Sequence, residues 1–286
     1  MNEQPIQFGS DDSLIGIYTP PATGAPARIA CLIPNSGLIH RVGPHRFAVK
    51  LARQLAGAGV ATFRFDLTGV GDSKSAAGPS NYRDQVQSDI GAAMDMLQRE
   101  HGIDRFVIAG ICSGAVNGFW ATVRDPRAVG LFMYDGFWYR SRWTTPVRHW
   151  KRMRSMTLPE IVGAIGRRLA GLAKRKPAAE GQTEPSQLFS SWDMENPPRE
   201  QFVRELQALV DRQVAVFLVY GGGVIDYYSY QDQFRHAFRG EKFVDAVRCE
   251  HHPDFDHTLT SLDVQRRMIA LVRDWVATVA AGSVRA

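Results

Sequence analysis

Residues 105–118 read RFVIAGICSGAVNG. The apolar run RFVIAG (105–110) predicts a buried strand, and a helical pattern follows it. Between the two, Cys112 stands with Gly110 two residues before it and Gly114 two residues after it. A strand that turns sharply into a helix needs small residues at both of these positions, because larger side chains would collide. The stretch therefore predicts a nucleophile elbow with Cys112 as the reactive residue.

Ser113 is the alternative nucleophile, since a hydroxyl is the commoner choice. Centring the turn on Ser113 would put Ile111 and Ala115 at the two small positions, and isoleucine does not suit that turn. Cys112 would also stand at a helix N-terminus, where the macrodipole and the free N–H groups stabilise a thiolate. The non-catalytic alternative is a buried structural cysteine beside a tight turn.

Short apolar runs alternate with longer amphipathic stretches through most of the chain. This order is typical of a mostly parallel sheet with helices on both faces, and we expect such an α/β fold. Two early runs, PIQFG and SLIGIY, predict an antiparallel ribbon ahead of the sheet. The predicted strands are 28–34, 60–66, 105–110, 128–135, 214–222 and 242–248, and the predicted helices are 45–59, 82–100, one from 113, 231–238 and 262–279.

The alternation fails between residues 137 and 200, where tryptophans, basic residues and a polar low-complexity stretch intervene. We expect residues 137–200 to form an inserted helical cap. Residues 1–136 and 201–286 would then form the α/β core. Trp138 and Trp143 lie in the cap segment and are candidates to line a substrate pocket.

Charge is concentrated in the same segment. Residues 140–176 hold eleven basic residues and one acid, Glu160, a net charge of +10. Because the whole chain has a net charge of +5, the rest of it carries −5. A local field of this kind attracts an anionic partner. The alternatives are a solvated helix face, a membrane-surface helix and a nucleic-acid contact, and no nucleic-acid motif accompanies the charge.

The composition is that of an ordinary globular protein, with 286 residues of which 44% are hydrophobic. Three cysteines at unrelated spacings signal neither a disulfide framework nor a zinc module. The amino terminus lacks the pattern of a signal peptide, and no run approaches the roughly 18 apolar residues of a membrane span. We therefore expect a cytoplasmic protein with no transmembrane segment.

Three motifs together resemble the α/β-hydrolase superfamily: PNSGLIHRVGPHR (34–46), RFDLTGVGDS (64–73) and GICSGA (110–115). The chain is most similar to small bacterial serine-aminopeptidase-like and exosortase-associated hydrolases. The resemblance implies the α/β-hydrolase fold and acyl-transfer chemistry. Cys112 stands where these proteins usually have serine, a departure shared with dienelactone hydrolases, polyhydroxyalkanoate synthases and some Dieckmann cyclases.

The resemblance also implies a catalytic base after the last strand. His257, in the sequence Asp256-His257-Thr258, matches the superfamily's Asp-His motif and is the expected base. A metal site in the same loop is the alternative, but the spacing fits no standard ligand pattern, and we expect no metal. Its ligands would be drawn from His251, His252, Asp254, Asp256 and His257.

Two carboxylates compete to orient the imidazole of His257. Asp226, just past the strand predicted at 214–222, matches the family's G-x-x-D turn and is the default. Asp135 follows the strand after the nucleophile, and some superfamily members carry their acid there. Either residue could instead cap a turn.

In this fold the oxyanion hole uses two backbone N–H groups. The matching positions are Ser113, after the nucleophile, and the Asn35-Ser36-Gly37 loop, in which Ser36 is the expected donor. His40, downstream in the loop, either contacts substrate or packs. The glycine-containing stretch 66–73 lacks the G-x-G-x-x-G and P-loop spacings and is expected to be a structural loop.

A cysteine nucleophile forms a thioester acyl-enzyme, which reacts well with amines, thiols and stabilised carbanions. The sequence therefore favours a thioesterase, cyclase or acyltransferase that needs no cofactor. Coenzyme A or an acidic carrier protein would present the acyl group. The alternatives are an ester or lactone hydrolase and a catalytically silent member that binds a small hydrophobic ligand.

Overall fold

The computed structural model describes residues 2–24, 26–75, 81–154, 196–224 and 227–282. In this part of the chain eight strands form one sheet in the order β1-β2-β4-β3-β5-β6-β7-β8. β1 and β2 are an antiparallel ribbon, β2 pairs antiparallel with β4, and all other pairings are parallel. The strands are β1 (Gln4–Phe8), β2 (Leu14–Thr19), β3 (Ile29–Pro34), β4 (Ala61–Phe65), β5 (Arg105–Ile111), β6 (Ala128–Tyr134), β7 (Ala215–Gly221) and β8 (Arg248–His252). The predicted fold class is confirmed.

Helices cover both faces of the sheet, as the alternation predicts. They are α1 (Phe47–Gly57), α2 (Tyr82–His101), α3 (Ser113–Arg124), α4 (Thr144–Arg154), α5 (Arg199–Asp211), α6 (Gln233–Ala237) and α7 (Leu262–Ala280). α1 and α7 pack together on one face, and α2, α3 and α5 contribute to the other. Successive strand residues point to opposite faces, so both faces of a central strand are apolar. In β3, Cys31 and Ile33 face α1, whereas Ala30 and Leu32 face α2.

The prediction of a strand at residues 242–248 is wrong. Lys242–Asp245 is a 3₁₀ helix, and the last strand is Arg248–His252. Phe243 is fully buried because it packs against the aromatic rings of Phe234 and Phe238, so its apolar character reflects packing beside the sheet. β8 is an edge strand with half-buried polar side chains, a pattern that apolar periodicity does not reveal.

The expected cap lies largely outside the described residues, since 155–195 are not described. Its beginning includes α4, and its end, from residue 196, leads directly into α5. Within the described part of the chain, no helix is both long and apolar enough to cross a membrane.

Candidate active site

The parallel strands bring the predicted site residues together. β3, β5, β6, β7 and β8 all run in the same direction, so their carboxyl ends lie along one edge of the sheet. Ser36, Cys112, Asp135 and His257 follow the ends of β3, β5, β6 and β8 respectively. In open α/β sheets this edge is where ligands bind.

Cys112 occupies a strained turn between β5 and α3. Its φ is 54° and its ψ is −124°, a left-handed conformation that L-residues rarely adopt. Its N–H donates to the carbonyl of Tyr134, 2.9 Å away on the neighbouring strand. A Cβ on Gly110 would lie 2.2 Å from the carbonyl oxygen of Gly114, so the turn has no room for a side chain at Gly110. This close approach is the geometry of a nucleophile elbow.

Ser113, the alternative nucleophile, points away from solvent. The residue is only 1% exposed. Its Oγ accepts a hydrogen bond from the N–H of Gly37 at 2.6 Å. Ser113 therefore contacts the loop after β3, whereas the adjacent Cys112 keeps part of its surface exposed.

Asp135 and His257 form the central contact of the site. Nδ1 of His257 lies 2.8 Å from Oδ2 of Asp135. The other carboxylate oxygen accepts the N–H of Gly221 at 2.8 Å, and the Asp135 side chain is fully buried. Asp135 has a φ of 49°, so the chain leaves β6 in a left-handed turn. Its carboxylate contacts Gly221 at the end of β7 and His257 after β8. The buried carboxylate can thus fix both the orientation and the tautomer of the ring.

The environment of His257 favours its protonated form. Hydrogen bonds to Asp135, and secondly to the Cys112 side chain, raise the pKa of His257 to about 10 against the opposing effect of burial. With Nδ1 engaged by Asp135, Nε2 is the ring atom that remains for Cys112. The imidazole therefore stands between a carboxylate and a thiol, the arrangement that proton transfer requires.

Asp226, the default choice for the acid, lies outside the described residues. The structure brings the competitor, Asp135, to His257. The turn before Asp226 nevertheless packs against the histidine loop, since a Cβ on Gly223 would lie 2.8 Å from the N–H nitrogen of His257.

The loop that carries His257 is tied to the ends of β6 and β7. The Tyr134 hydroxyl donates to the Asp256 carbonyl at 2.8 Å, and the Gly222 N–H donates to the Phe255 carbonyl at 2.7 Å. The Asp256 carboxylate accepts the N–H groups of Thr258 and Thr260, so it caps this turn. Sequence reasoning missed Tyr134 and Gly222, because nothing in their local sequence marks a contact with a loop so distant in the chain.

The side chains of the alternative metal site have separate partners. Asp254 pairs with Arg267, and His252 lies 2.8 Å from Glu250. Among the described residues, no three histidine, cysteine or acidic side chains are grouped so that they could hold a metal ion.

The loop after β3 is fixed by side-chain hydrogen bonds. Ser36 Oγ donates to the Ile111 carbonyl at 2.7 Å. The Asn35 side chain accepts the N–H of Leu67 at 2.9 Å and donates to the Gly37 carbonyl at 2.8 Å. These contacts hold Ser36 beside the elbow, where its N–H was predicted to contribute to an oxyanion hole.

The loop 66–73 packs against the loop after β3 and supports it. Asp66 is buried, and its carboxylate accepts the N–H of Arg41 and pairs with the Arg41 guanidinium. The same guanidinium lies 2.6 Å from Asp72. A Cβ on Gly71 would lie 2.3 Å from the Asp66 carboxylate. Glycine here makes room for the buried Asp66 carboxylate and its ion pair with half-buried Arg41, which supports a structural role for this loop.

The three candidate substrate-binding residues occupy different surroundings. His40 is exposed on the loop after β3. Trp138 stacks on Tyr227 with ring centroids 4.2 Å apart, and Asn196 bonds both its backbone N–H and its carbonyl. Trp143 is 45% exposed, with Arg142 over its ring. In the described part of the chain, none of the three makes a hydrogen bond or ring contact with Cys112 or His257.

The sequence profile of the serine aminopeptidase family, S33, matches residues 37–191, more than half of the chain. The match includes Cys112 and Asp135 and ends before His257. No curated protein sequence matches the chain.

Solved structures of similar fold cover almost the whole chain. Proline iminopeptidase of Mycobacterium smegmatis has a TM-score of 0.56 and 15% identity, covering 99% of this chain and 100% of that one. The esterase Pf2001 of Pyrococcus furiosus has a TM-score of 0.58 and 11% identity, covering 96% and 91%. Est1E of Butyrivibrio proteoclasticus, solved with ferulic acid, has a TM-score of 0.53 and 13% identity, covering 95% and 98%. By the family match, with a fold that agrees, the chain belongs to the serine aminopeptidase S33 family and is an enzyme of the α/β-hydrolase kind.

Proposed function

We propose that this protein catalyses cysteine-dependent acyl transfer through a triad of Cys112, His257 and Asp135. The observation that carries the proposal is the 2.8 Å contact between Asp135 and His257, whose ring also has a hydrogen bond to the Cys112 side chain. A nucleophile, a base in reach of it and an acid that orients the base are the three parts of covalent acyl transfer.

The first half of the reaction forms an acyl-enzyme. The Cys112 thiolate attacks the carbonyl carbon of the acyl donor, and the N–H groups of Ser113 and Ser36 stabilise the oxyanion. Collapse of the tetrahedral intermediate breaks the bond to the leaving group. The leaving group takes the proton from Nε2 of His257, so a neutral imidazole and a Cys112 thioester remain.

The second half transfers the acyl group to an acceptor. Neutral His257 removes a proton from the acceptor, which attacks the thioester carbonyl. The Cys112–acyl bond then breaks and returns the thiolate beside a protonated His257. Because the pKa of His257 is raised to about 10, the imidazole is protonated at neutral pH and can supply this proton to the next leaving group.

The donor we propose is an acyl thioester. Its acyl group passes from the sulfur of the donor to the sulfur of Cys112. One thioester bond replaces another, so the transfer is nearly isoenergetic. The resulting thioester can pass its acyl group to water, an amine, an alcohol or a carbanion, as a thioesterase, acyltransferase or cyclase does.

The surface around α4 supports an anionic carrier for the acyl group. Residues 136–154 hold six basic residues and no acid. Arg142 lies over the Trp143 ring at 5.2 Å, and Arg154 lies over the Trp150 ring at 4.7 Å. α4 is attached to the segment after β7, because Lys151 donates to the Ser229 carbonyl. Coenzyme A and acidic carrier proteins both have the negative charge that such a surface attracts.

An ester or lactone hydrolase is the second candidate, and the family itself favours it. The S33 family consists of hydrolases, and the same triad would hydrolyse an oxygen ester with water as acceptor. A silent ligand-binding member is a third interpretation, but it gives the Asp135–His257 contact no role.

Paired substrates test the proposal. An octanoyl thioester of coenzyme A and an octanoyl oxygen ester would be compared by kcat/KM, with and without an amine acceptor. We expect the thioester to be preferred and Cys112→Ala to be inactive on both substrates. Preference for the oxygen ester would establish the second candidate. Inactivity of the wild-type enzyme on both substrates would refute transfer of an octanoyl group.

A further inference from the structure

Two serine hydroxyls connect the loop after β3 to the elbow. One belongs to the loop and donates a hydrogen bond, and the other belongs to the elbow and accepts one. Ser36, in the loop, donates its hydroxyl proton to the Ile111 carbonyl at 2.7 Å. Ser113, at the elbow, accepts the Gly37 N–H at 2.6 Å. The two bonds flank Cys112 in sequence, one on the residue before it and one on the residue after it. We refer to this pair of hydrogen bonds as the serine clamp.

The clamp determines which loop N–H can face a substrate. The Gly37 N–H is already engaged by Ser113 and is not available to an oxyanion. The Ser36 N–H is adjacent to it on the same loop, and the Ser36 side chain is anchored to the elbow. Of these two neighbouring N–H groups the clamp thus engages that of Gly37 and leaves that of Ser36, the donor that we assign opposite the N–H of Ser113.

Tight packing against α3 and the clamp together hold the end of the loop that lies next to Cys112, which we call its inner end. A Cβ on Gly114 would lie 3.1 Å from the Asn35 carbonyl oxygen and 3.2 Å from Ser36 Oγ, so the loop sits directly on the first turn of α3. The outer end of the loop is held separately, by Arg41 and buried Asp66. Loss of the serine hydroxyls would free the inner end while the outer end stayed in place.

We infer that the Ser36 and Ser113 side chains are positioning residues that set the spacing of the two oxyanion donors, an inference that rests on the proposed acyl transfer. Both donors must reach one oxygen at about 2.7–3.1 Å, and they belong to loops that are joined only through tertiary contacts. An error of about 1 Å in such a geometry can cost on the order of 100-fold in rate. Each hydroxyl acts through the backbone and not by touching the reacting atoms.

Two reactions of Cys112 separate positioning from structural damage. Acylation by a thioester develops an oxyanion, whereas alkylation by iodoacetamide displaces iodide and develops none. Rates of both would be followed by intact mass in wild type, Ser113→Ala, Ser36→Ala and the double variant. We expect acylation to fall about 10- to 100-fold in each single variant and alkylation to change less than about twofold.

Two controls complete the experiment. Thr122→Val removes another buried hydroxyl of α3, one that donates to the Gly118 carbonyl away from the loop, and should acylate at the wild-type rate. Ser36→Thr keeps the hydroxyl and should restore most of the acylation rate. Wild-type acylation in Ser113→Ala and Ser36→Ala, or an equal fall in acylation and alkylation, would overturn the clamp. A wild-type enzyme that alkylates at Cys112 but does not acylate would instead refute the proposed function.

Discussion

The Asp135 carboxylate and the His257 ring meet at 2.8 Å, although 122 residues separate them in sequence. Each stands just past the end of a strand, β6 and β8, and β7 lies between those strands. The Gly221 N–H at the end of β7 holds the second carboxylate oxygen. Three neighbouring strands thus position one carboxylate–imidazole pair.

Asp135→Asn should impair catalysis far more than Asp226→Asn. Asparagine keeps the shape of the side chain but can present N–H to Nδ1, which leaves His257 in the wrong tautomer. In a serine triad this loss costs about 10⁴-fold in kcat, and we expect a somewhat smaller loss here because a thiolate–imidazolium pair can form before substrate binds. Steady-state kinetics of both variants would measure it. A crippled Asp226→Asn beside a nearly normal Asp135→Asn would assign the acid to Asp226.

The pH profile of kcat/KM should have an alkaline limb near pH 10. The leaving group needs the proton on His257, and its loss begins as the pH approaches the raised pKa of about 10. The Asp135 hydrogen bond is the largest cause of that rise, so Asp135→Asn should move the limb toward lower pH. An unchanged limb in Asp135→Asn would show that another group controls it.

The same pKa shift makes a stability prediction of defined sign. A histidine whose pKa is raised in the folded state stabilises the fold fully below its unfolded value of about 6.5. That contribution is lost as the pH rises toward about 10. Urea unfolding of wild type should therefore show a decline in the free energy of unfolding across this range that His257→Gln lacks. Parallel declines in both proteins would contradict the protonated resting state.

Gly110→Ala should destabilise the fold, because the added Cβ would meet the Gly114 carbonyl oxygen at 2.2 Å. We expect a loss of about 3 kcal/mol or more, at the upper end of overpacking penalties, since the obstacle is backbone. Gly91→Ala on α2 is the matched control, because its Cβ meets nothing within 4 Å, and it should be neutral or stabilising. Equal stability of the two variants would contradict the tight elbow.

Charge reversal on α4 tests the anionic carrier. Arg142→Glu with Arg154→Glu should lower kcat/KM for a carrier-bound thioester, as should salt above roughly 0.1 M, where the Debye length is about 10 Å. A neutral ester should be unaffected. Arg105→Glu, at the opposite end of the sheet, is the control. Equal salt sensitivity for both substrates, or none for either, would show that the basic segment is a solvated surface that binds no carrier.

Local patterns were sufficient to predict the elbow and most of the sheet. Cys112 and its glycines lie within five residues of one another, and the central strands are apolar on both faces, so short windows of sequence carry those features. β8 was misplaced because an edge strand with polar side chains has no apolar period.

Local sequence patterns could not predict the contacts between segments that are distant in the chain. Asp135 and Asp226 both follow a predicted strand, so local sequence did not choose between them. The left-handed turn at Asp135 and its contacts with Gly221 and His257 are visible only in the structure. The Ser113–Gly37 bond joins residues 76 apart, and neither serine has a local signal for it.

Locating the acyl group on the enzyme tests the nucleophile most directly. After a brief incubation with an acyl thioester and acid quenching, intact mass and peptide mapping would find the adduct. Burial raises the pKa of Cys31 and of Cys249 to about 12, so these two thiols are internal controls that should stay unmodified. We predict one acyl group on Cys112, absent from Cys112→Ala. An adduct on Ser113, or turnover by Cys112→Ala at the wild-type rate, would contradict the account.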